Sequence, residues 1–200
     1  MSQAKTTREH ILYKAAELFN QQGYGGVSIS DIMRATNLQK GGIYNHFQSK
    51  EELALNALDL AFNLLRRGFI NALKLKKYAI ERLEAIIPVS LSFVIDGSVI
   101  PGGCPILNTA IECEDTNSAL LLRTQEAMNS WRQLICQIIE KGIEKGELAE
   151  NIEADEVATI IISNLEGVLM MSQLYKQTIH MERVSKHLYE YLKSLLPTKN

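Results

Sequence analysis

Apolar positions recur along this chain with the period of an α-helix, and no segment alternates in the manner of a strand. Leu12, Ala15, Ala16 and Phe19 fall at i, i+3, i+4 and i+7, one continuous apolar face. They predict a first helix over about Thr7 to Gln22, ended by Gly23, Gly25 and Gly26. Ser28 opens a second helix: Ser28 and Asp31 have the spacing of a capping box, and Ile29 and Ile32 face inward. Asn37 follows, a residue that tolerates the left-handed conformation of a tight turn. A short third helix is predicted from Lys40 to Phe47, and Ser49–Glu52 repeats the capping-box spacing at the start of a fourth, running to about Leu75.

Further along, helices are predicted over about Ala79–Ile95, Ile106–Ile111, Thr116–Lys145, Ala154–Tyr175 and Met181–Leu196. The clearest internal loop is DGSVIPGGCP, Asp96 to Pro105, with three glycines and two prolines. The fold class is therefore all-α. Its expected division is an N-terminal helix-turn-helix domain, residues 1–50, and a helical body, residues 51–200. With 200 residues, nearly half of them apolar, the chain can bury a core. The run Ile160–Ile162 is broken by Ser163, Asn164 and Glu166, short of the ~20 residues of a membrane span, and no signal peptide is evident. A cytoplasmic protein with no membrane partner is the expectation.

Charge sharpens the division. Residues 1–50 carry six basic side chains (Lys5, Arg8, Lys14, Arg34, Lys40, Lys50) against three acidic ones (Glu9, Glu17, Asp31). The remainder carries fifteen basic and twenty acidic residues. A basic lobe on an acidic body can orient toward a phosphate backbone. Cys104, Cys113 and Cys136 lack CxxC spacing and read as free thiols, not as a disulfide framework or a zinc site.

The segment SISDIMRATNLQKGGIYNHFQSKEEL has the layout of a DNA-reading helix-turn-helix. Gly41 and Gly42 leave the start of its second helix bare, so groove floor and phosphates can approach the backbone. Lys40 and Lys50 bracket that helix and can neutralise phosphates. Tyr44 can donate its hydroxyl to a phosphate or lay its ring on a thymine methyl, and Asn45 and His46 can hydrogen-bond base edges. Ile43 and Phe47 serve as anchors. On spacing alone, a small helical subdomain without a ligand explains the pattern equally well.

Residues 7–55, TREHILYKAAELFNQQGYGGVSISDIMRATNLQKGGIYNHFQSKEELAL, resemble the N-terminal domain of the TetR (tetracycline repressor) family of bacterial transcription regulators. AAELFNQQGY, KGGIYNHF and SKEEL carry the resemblance most specifically. The chain departs from the family pattern at Thr36–Asn37, where Ala-Gly is usual, at Gln39 for Ser and at Met33 for Ala. The resemblance implies a double-stranded DNA operator as partner. It implies phosphate contacts near Ser28, Lys40, Tyr44 and Lys50, and base contacts from Gly41, Gly42, Asn45 and His46.

For the body, the resemblance implies a small-molecule effector domain and a homodimer seam formed by the last two helices. Val157, Ile160, Ile161, Leu165, Val168, Leu169 and Met171, with Val184, Leu188, Tyr191, Leu192 and Leu195, fit that seam, though an intrachain core fits them too. PGGCPILNTAIE resembles a loop-plus-helix of one branch of the family. Candidate effector-lining residues are Phe62, Phe69, Phe93, Cys104, Asn108, Met128 and Trp131, each of which also reads as ordinary core. Cys104 has neighbours, Gly103 and Pro105, that supply no cation to activate a thiol.

The functional expectation is a ligand-responsive repressor, and the alternative is a DNA-binding regulator without an effector. An enzyme is disfavoured: GxSxG, HExxH, P-loop and dinucleotide fingerprints are lacking, so no catalytic residue or cofactor is assigned. His10, His46, His180 and His187 show no metal-ligand spacing. Glu112, Glu114 and Asp115 read as a solvated acidic helix end.

Overall fold

The computed structural model describes residues 3–92, 100–113 and 117–198. Among these residues the chain is wholly helical, without strands: α1 Gln3–Gly26, α2 Ile29–Thr36, α3 Lys40–Tyr44, α4 Lys50–Leu73, α5 Ala79–Leu91, α6 Pro105–Cys113, α7 Ser118–Glu144, α8 Ala154–Tyr175 and α9 Ile179–Ser194. The chain divides into two compact units, one of residues 1–64 with 96–126, the other of residues 65–95 with 127–200.

In the first unit, the apolar face of α1 meets α2, α3 and the start of α4. Ile11, Leu12, Ala15 and Ala16 pack with Val27, Ile32, Ile43, Phe47, Leu53, Ala57, Ala61 and Ile100. Burying Ile32, Ile43 and Phe47 is worth about 1.5–3 kcal/mol for each side chain. Gly23, at φ 77°, breaks the regular course of α1 where the glycine run predicted an end. Met33, the bulky departure from the family pattern, sits half-buried at the edge of this core and is accommodated there.

In the second unit, α5, α8 and α9 pack together. Leu83, Ile86 and Ile87 of α5, Ile161, Leu165 and Val168 of α8, and Leu188 and Leu192 of α9 are buried. Gly142 of α7 is a close-approach position: a Cβ there would lie 2.6 Å from Ala79 Cβ and 2.8 Å from Leu148 Cδ1. Helix α8 is long and apolar enough to cross a membrane by composition, contrary to the reading of its sequence as too interrupted. Half of its apolar stretch is buried inside the protein, as in a core helix.

The differences from the predicted elements are local. Helix α1 begins at Gln3, and α3 ends at Tyr44 instead of Phe47. The backbone N–H groups of His46 and Phe47 still bond to Ile43, but that of Gln48 is taken by Glu52 Oε2 at 2.5 Å. The start of α4 thus ends the third helix. The expected extension of α5 to Ile95 and the expected start of α7 at Thr116 fall on residues outside those described.

Candidate nucleic-acid interface

The geometry of the helix-turn-helix follows from its caps. Ser28 Oγ accepts the Asp31 N–H at 3.2 Å, while Asp31 Oδ2 accepts the Ser28 N–H at 2.8 Å and the Ser28 hydroxyl at 2.6 Å. These hydrogen bonds, with the neighbouring Arg34, hold the Asp31 carboxyl down at about 2. Asn37 closes α2 in the left-handed conformation (φ 56°, ψ 35°) and returns its N–H to Met33. A glycine is therefore not needed at this turn. Thr36 bonds back to Ile32 at 2.7 Å, which satisfies its hydroxyl inside the core.

Behind α3, Ile43 and Phe47 are buried at 1% and 2% exposure, confirming them as anchors. The Arg8 guanidinium lies 4.9 Å from the Phe47 ring centroid and donates to Asn56 Oδ1 at 2.8 Å. The opposite side of α3 is open. Lys40, Gly41, Tyr44 and Asn45 are exposed, and Gly42 and His46 are partly so. Nothing lies within 4 Å of where a Gly41 Cβ would project, so its bareness serves no internal packing. Lys40 Nζ stands 5.8 Å from the Tyr44 ring, so a cation and a phenol share one surface. Together these groups offer a cation, a hydroxyl, an amide and an imidazole beside bare backbone, a set that can bond phosphate oxygens and base edges.

Two of the sequence candidates are partly engaged within the protein. The Ser28 hydroxyl is committed to the cap of α2. Lys50 Nζ donates to the Tyr24 carbonyl at 2.5 Å and sits 4.1 Å above the Tyr24 ring, leaving further ammonium protons for an outside acceptor.

The same unit contains a polar latch that the sequence reading misjudged. Glu112 is not a solvated helix end. Its Oε2 accepts the Tyr24 N–H and its Oε1 the Gly25 N–H, both at 2.7 Å, across 88 and 87 residues of sequence. Glu114 and Asp115 lie outside the described residues. Asn20 Nδ2 donates to the Pro101 and Gly103 carbonyls at 3.0 Å, and Asn108 Nδ2 donates to Asn20 Oδ1 at 3.0 Å and to the Gly102 carbonyl at 2.8 Å. Gly102, at φ 114°, has no room for a Cβ, which would sit 2.8 Å from the Asn20 carbonyl oxygen. Loop 100–104 and α6 are thereby fastened to the end of α1. The one local signal for this contact is Gly23, whose Cβ would lie 2.6 Å from Glu112 Oε2.

The candidate effector-lining residues fall into two groups. Phe62, Cys104 and Asn108 belong to the first unit, Phe69, Met128 and Trp131 to the second, and Phe93 lies outside the described residues. Phe62 packs on the small cluster of Ala54, Leu58, Cys113 and Leu120. Cys104 is buried. Asn108, with Phe19, Tyr24 and Glu112, lines a cavity of about 30 Å³. Phe69 and Trp131 stack at 5.8 Å between centroids, and Trp131 Nε1 is buried without an acceptor among the described residues. Burial, then Asp155, pushes the Cys136 thiol up, away from reactivity at neutral pH.

An all-helical chain with a capped helix-turn-helix and an open second helix is built as a DNA-binding regulator. Residues 11–57 match the family model described as bacterial regulatory proteins, tetR family, and residues 79–188 match the tetracyclin repressor-like C-terminal domain. A TetR transcriptional regulator from Chloroflexus aurantiacus superposes with a TM-score of 0.92 at 40% identity, over 96% of this chain and 97% of that one. A TetR-family regulator from Cytophaga hutchinsonii gives 0.90 at 32%, over 100% and 99%. Among characterised relatives, the HTH-type transcriptional repressor DhaR of Mycobacterium sp. strain GP1 is 24% identical over 96% of this chain and 93% of its own length. The chain belongs to the TetR family of transcriptional regulators, proteins that bind DNA and typically dimerise.

Proposed function

We propose that this regulator is a homodimeric repressor that leaves a palindromic operator when a small molecule binds its body. Residues 1–50 read the DNA and residues 51–200 sense and dimerise. The observation that carries the reading is the open side of α3, where Lys40, Gly41, Tyr44 and Asn45 are exposed over the buried anchors Ile43 and Phe47. Lys40, Tyr44, Lys50 and the backbone near Ser28 supply phosphate contacts, and Gly41, Gly42, Asn45 and His46 supply base contacts. A dimer is required mechanically, since two recognition helices must meet successive major-groove faces. An exposed apolar row, Met170, Met171, Leu174 and Tyr175 on α8 with Ile179 on α9, supports a seam through the last two helices. Similarity to DhaR, a transcriptional repressor, favours repression over activation.

Response to an effector draws support from the Phe69–Trp131 stack and from Trp131 Nε1, a buried donor with no acceptor among the described residues that a ligand acceptor would satisfy. The latch of Glu112 and Asn108 gives α6 a grip on the end of α1, so a displaced α6 would strain the reading head. The second reading, a regulator without an effector, is favoured by the small size of the cavity at Asn108, about 30 Å³. Fluorescence anisotropy with DNA from upstream of the protein's own gene, across a salt series and beside scrambled DNA, tests the first part. Sequence-dependent binding with a steep salt slope, weakened at least tenfold by Tyr44→Ala, is expected. Equal weak binding to both DNAs and no effect of Tyr44→Ala would refute the assigned interface. For the effector, a compound that binds beside the Phe69–Trp131 stack must lower operator affinity; tight binding there that leaves it unchanged supports the second reading.

A further inference from the structure

The second unit carries an open surface concavity of about 280 Å³ that the DNA-reading and dimer roles do not use. Four cationic side chains line it: Lys77 from the α4–α5 connection, Arg82 from the start of α5, Lys141 from the last turn of α7 and Lys145 just past its end; the three lysines are exposed and Arg82 is partly so. Among the described residues, none of these four has a carboxylate partner. The one acid in the lining, Glu147, is spent on the backbone: its Oε2 accepts the Ala79 N–H at 2.7 Å. Glu81 Oε2 likewise accepts the Lys77 N–H at 3.2 Å. The first turn of α5 is thus capped by the protein's own carboxylates, and the side-chain cations are left over.

Ordinary helix-end electrostatics explains half of this arrangement. Lys141 and Lys145 lie at the C-terminal end of α7, where the helix field favours cations. Lys77 and Arg82 lie at the N-terminal end of α5, where that field opposes them. Gly142 makes the juxtaposition closer still. With Ala79 and Leu148 within 2.6–2.9 Å of its missing Cβ, it brings the end of α7 against the start of α5 and gathers both pairs around one concavity. Like charges so gathered repel, and in the lining only the Glu147 carboxylate offsets the four cations.

We propose that this concavity binds a diphosphate-bearing small molecule. Arg82 offers a planar fork for two phosphate oxygens, and three lysines add point charges around it. Gln137, also in the lining, adds an amide donor. The space, about 280 Å³, is enough for a diphosphate group and too small for a folded partner. The proposal is independent of which operator or effector the regulator uses.

Inorganic pyrophosphate is the probe, titrated into the full-length protein by calorimetry at fixed ionic strength, with orthophosphate and sulfate alongside. Saturable binding of one pyrophosphate per chain is expected, tighter than either control anion. Lys141→Gln/Lys145→Gln and, separately, Arg82→Gln should each weaken it at least tenfold, whereas Lys40→Gln on the DNA-reading face should leave it unchanged. Circular dichroism melts of each variant establish that the fold is retained. Absence of saturable binding, wild-type affinity in folded concavity variants, or loss of binding in Lys40→Gln would each overturn the proposal.

Discussion

Replacing Glu112 with alanine removes the carboxylate that accepts two backbone N–H groups, of Tyr24 and Gly25, at 2.7 Å each. Hydrogen bonds to a charged group contribute about 1.5–3 kcal/mol each. The Gly25 site is exposed, so water replaces most of that bond; the Tyr24 N–H is part-buried and loses more. A net destabilisation of about 2 kcal/mol follows, or roughly 4–8 °C in melting temperature for a chain of this size. Glu112→Gln should recover little, because one oxygen becomes an amide donor facing a backbone donor. Hydrogen exchange gives the local readout: the Tyr24 and Gly25 amides should exchange at least tenfold faster in Glu112→Ala, with Ile32 and Ile43 changed less. A double-mutant cycle with Gly23→Ala sharpens the test. In the wild type, an alanine Cβ at position 23 meets Glu112 Oε2 at 2.6 Å and also suffers the φ of 77°. In Glu112→Ala only the backbone strain of a conformation that glycine alone adopts readily (φ 77°, ψ 165°), about 1–3 kcal/mol, remains. The two substitutions should therefore cost less together than the sum of their separate costs. Additive costs, or a Glu112→Ala protein as stable as wild type, would refute the latch.

Two further outcomes follow. Asp31 is held at about 2 by the Ser28 hydroxyl and N–H, then by Arg34, below its ordinary value of 3.8. A depressed carboxylate stabilises the fold fully above its unfolded pKa and ceases to do so as pH falls toward the folded value. The gap in urea midpoint between wild type and Asp31→Asn should thus be constant from pH 7 down to about 5 and close between about pH 4 and pH 2; a gap that persists at pH 2 contradicts the cap. Leu174, 70% exposed beside Met170 and Tyr175, lies in the proposed dimer seam. Leu174→Glu should shift sedimentation toward monomer at micromolar concentration and reduce operator affinity while leaving the helical signal intact, and an unchanged dimer would move the seam elsewhere.

Where the determinants of structure are local, the sequence announces them. Ser28 and Asp31 specify a capping box by spacing alone, and both of its hydrogen bonds form. Asn37 supplies the left-handed turn, and α8 spans the predicted Ala154–Tyr175 because its apolar run and its ends are encoded within it. The exposed face of α3 is legible for the same reason: the apolar Ile43 and Phe47 fix which side turns inward. The polar groups that misled are those whose partners lie far away in sequence. Glu112 looks like any acid at a helix end until an α1 terminus 88 residues earlier presents two N–H groups to it. Lys50, read as a phosphate ligand, also gives one proton to the carbonyl of Tyr24, a contact the sequence does not announce. Lys77 and Arg82 carry no signal in the sequence that links them to Lys141 and Lys145, and the missing side chain of Gly142 lets the two helix ends meet closely enough to make them a cluster. In each case an apolar or glycine contact brings the backbones together, and the charge acquires its role from that approach. A charged residue in this chain is therefore best judged from the packing around it: at Glu112 and at the α5–α7 junction, a glycine with no room for a Cβ marks where a distant charge has been brought into use.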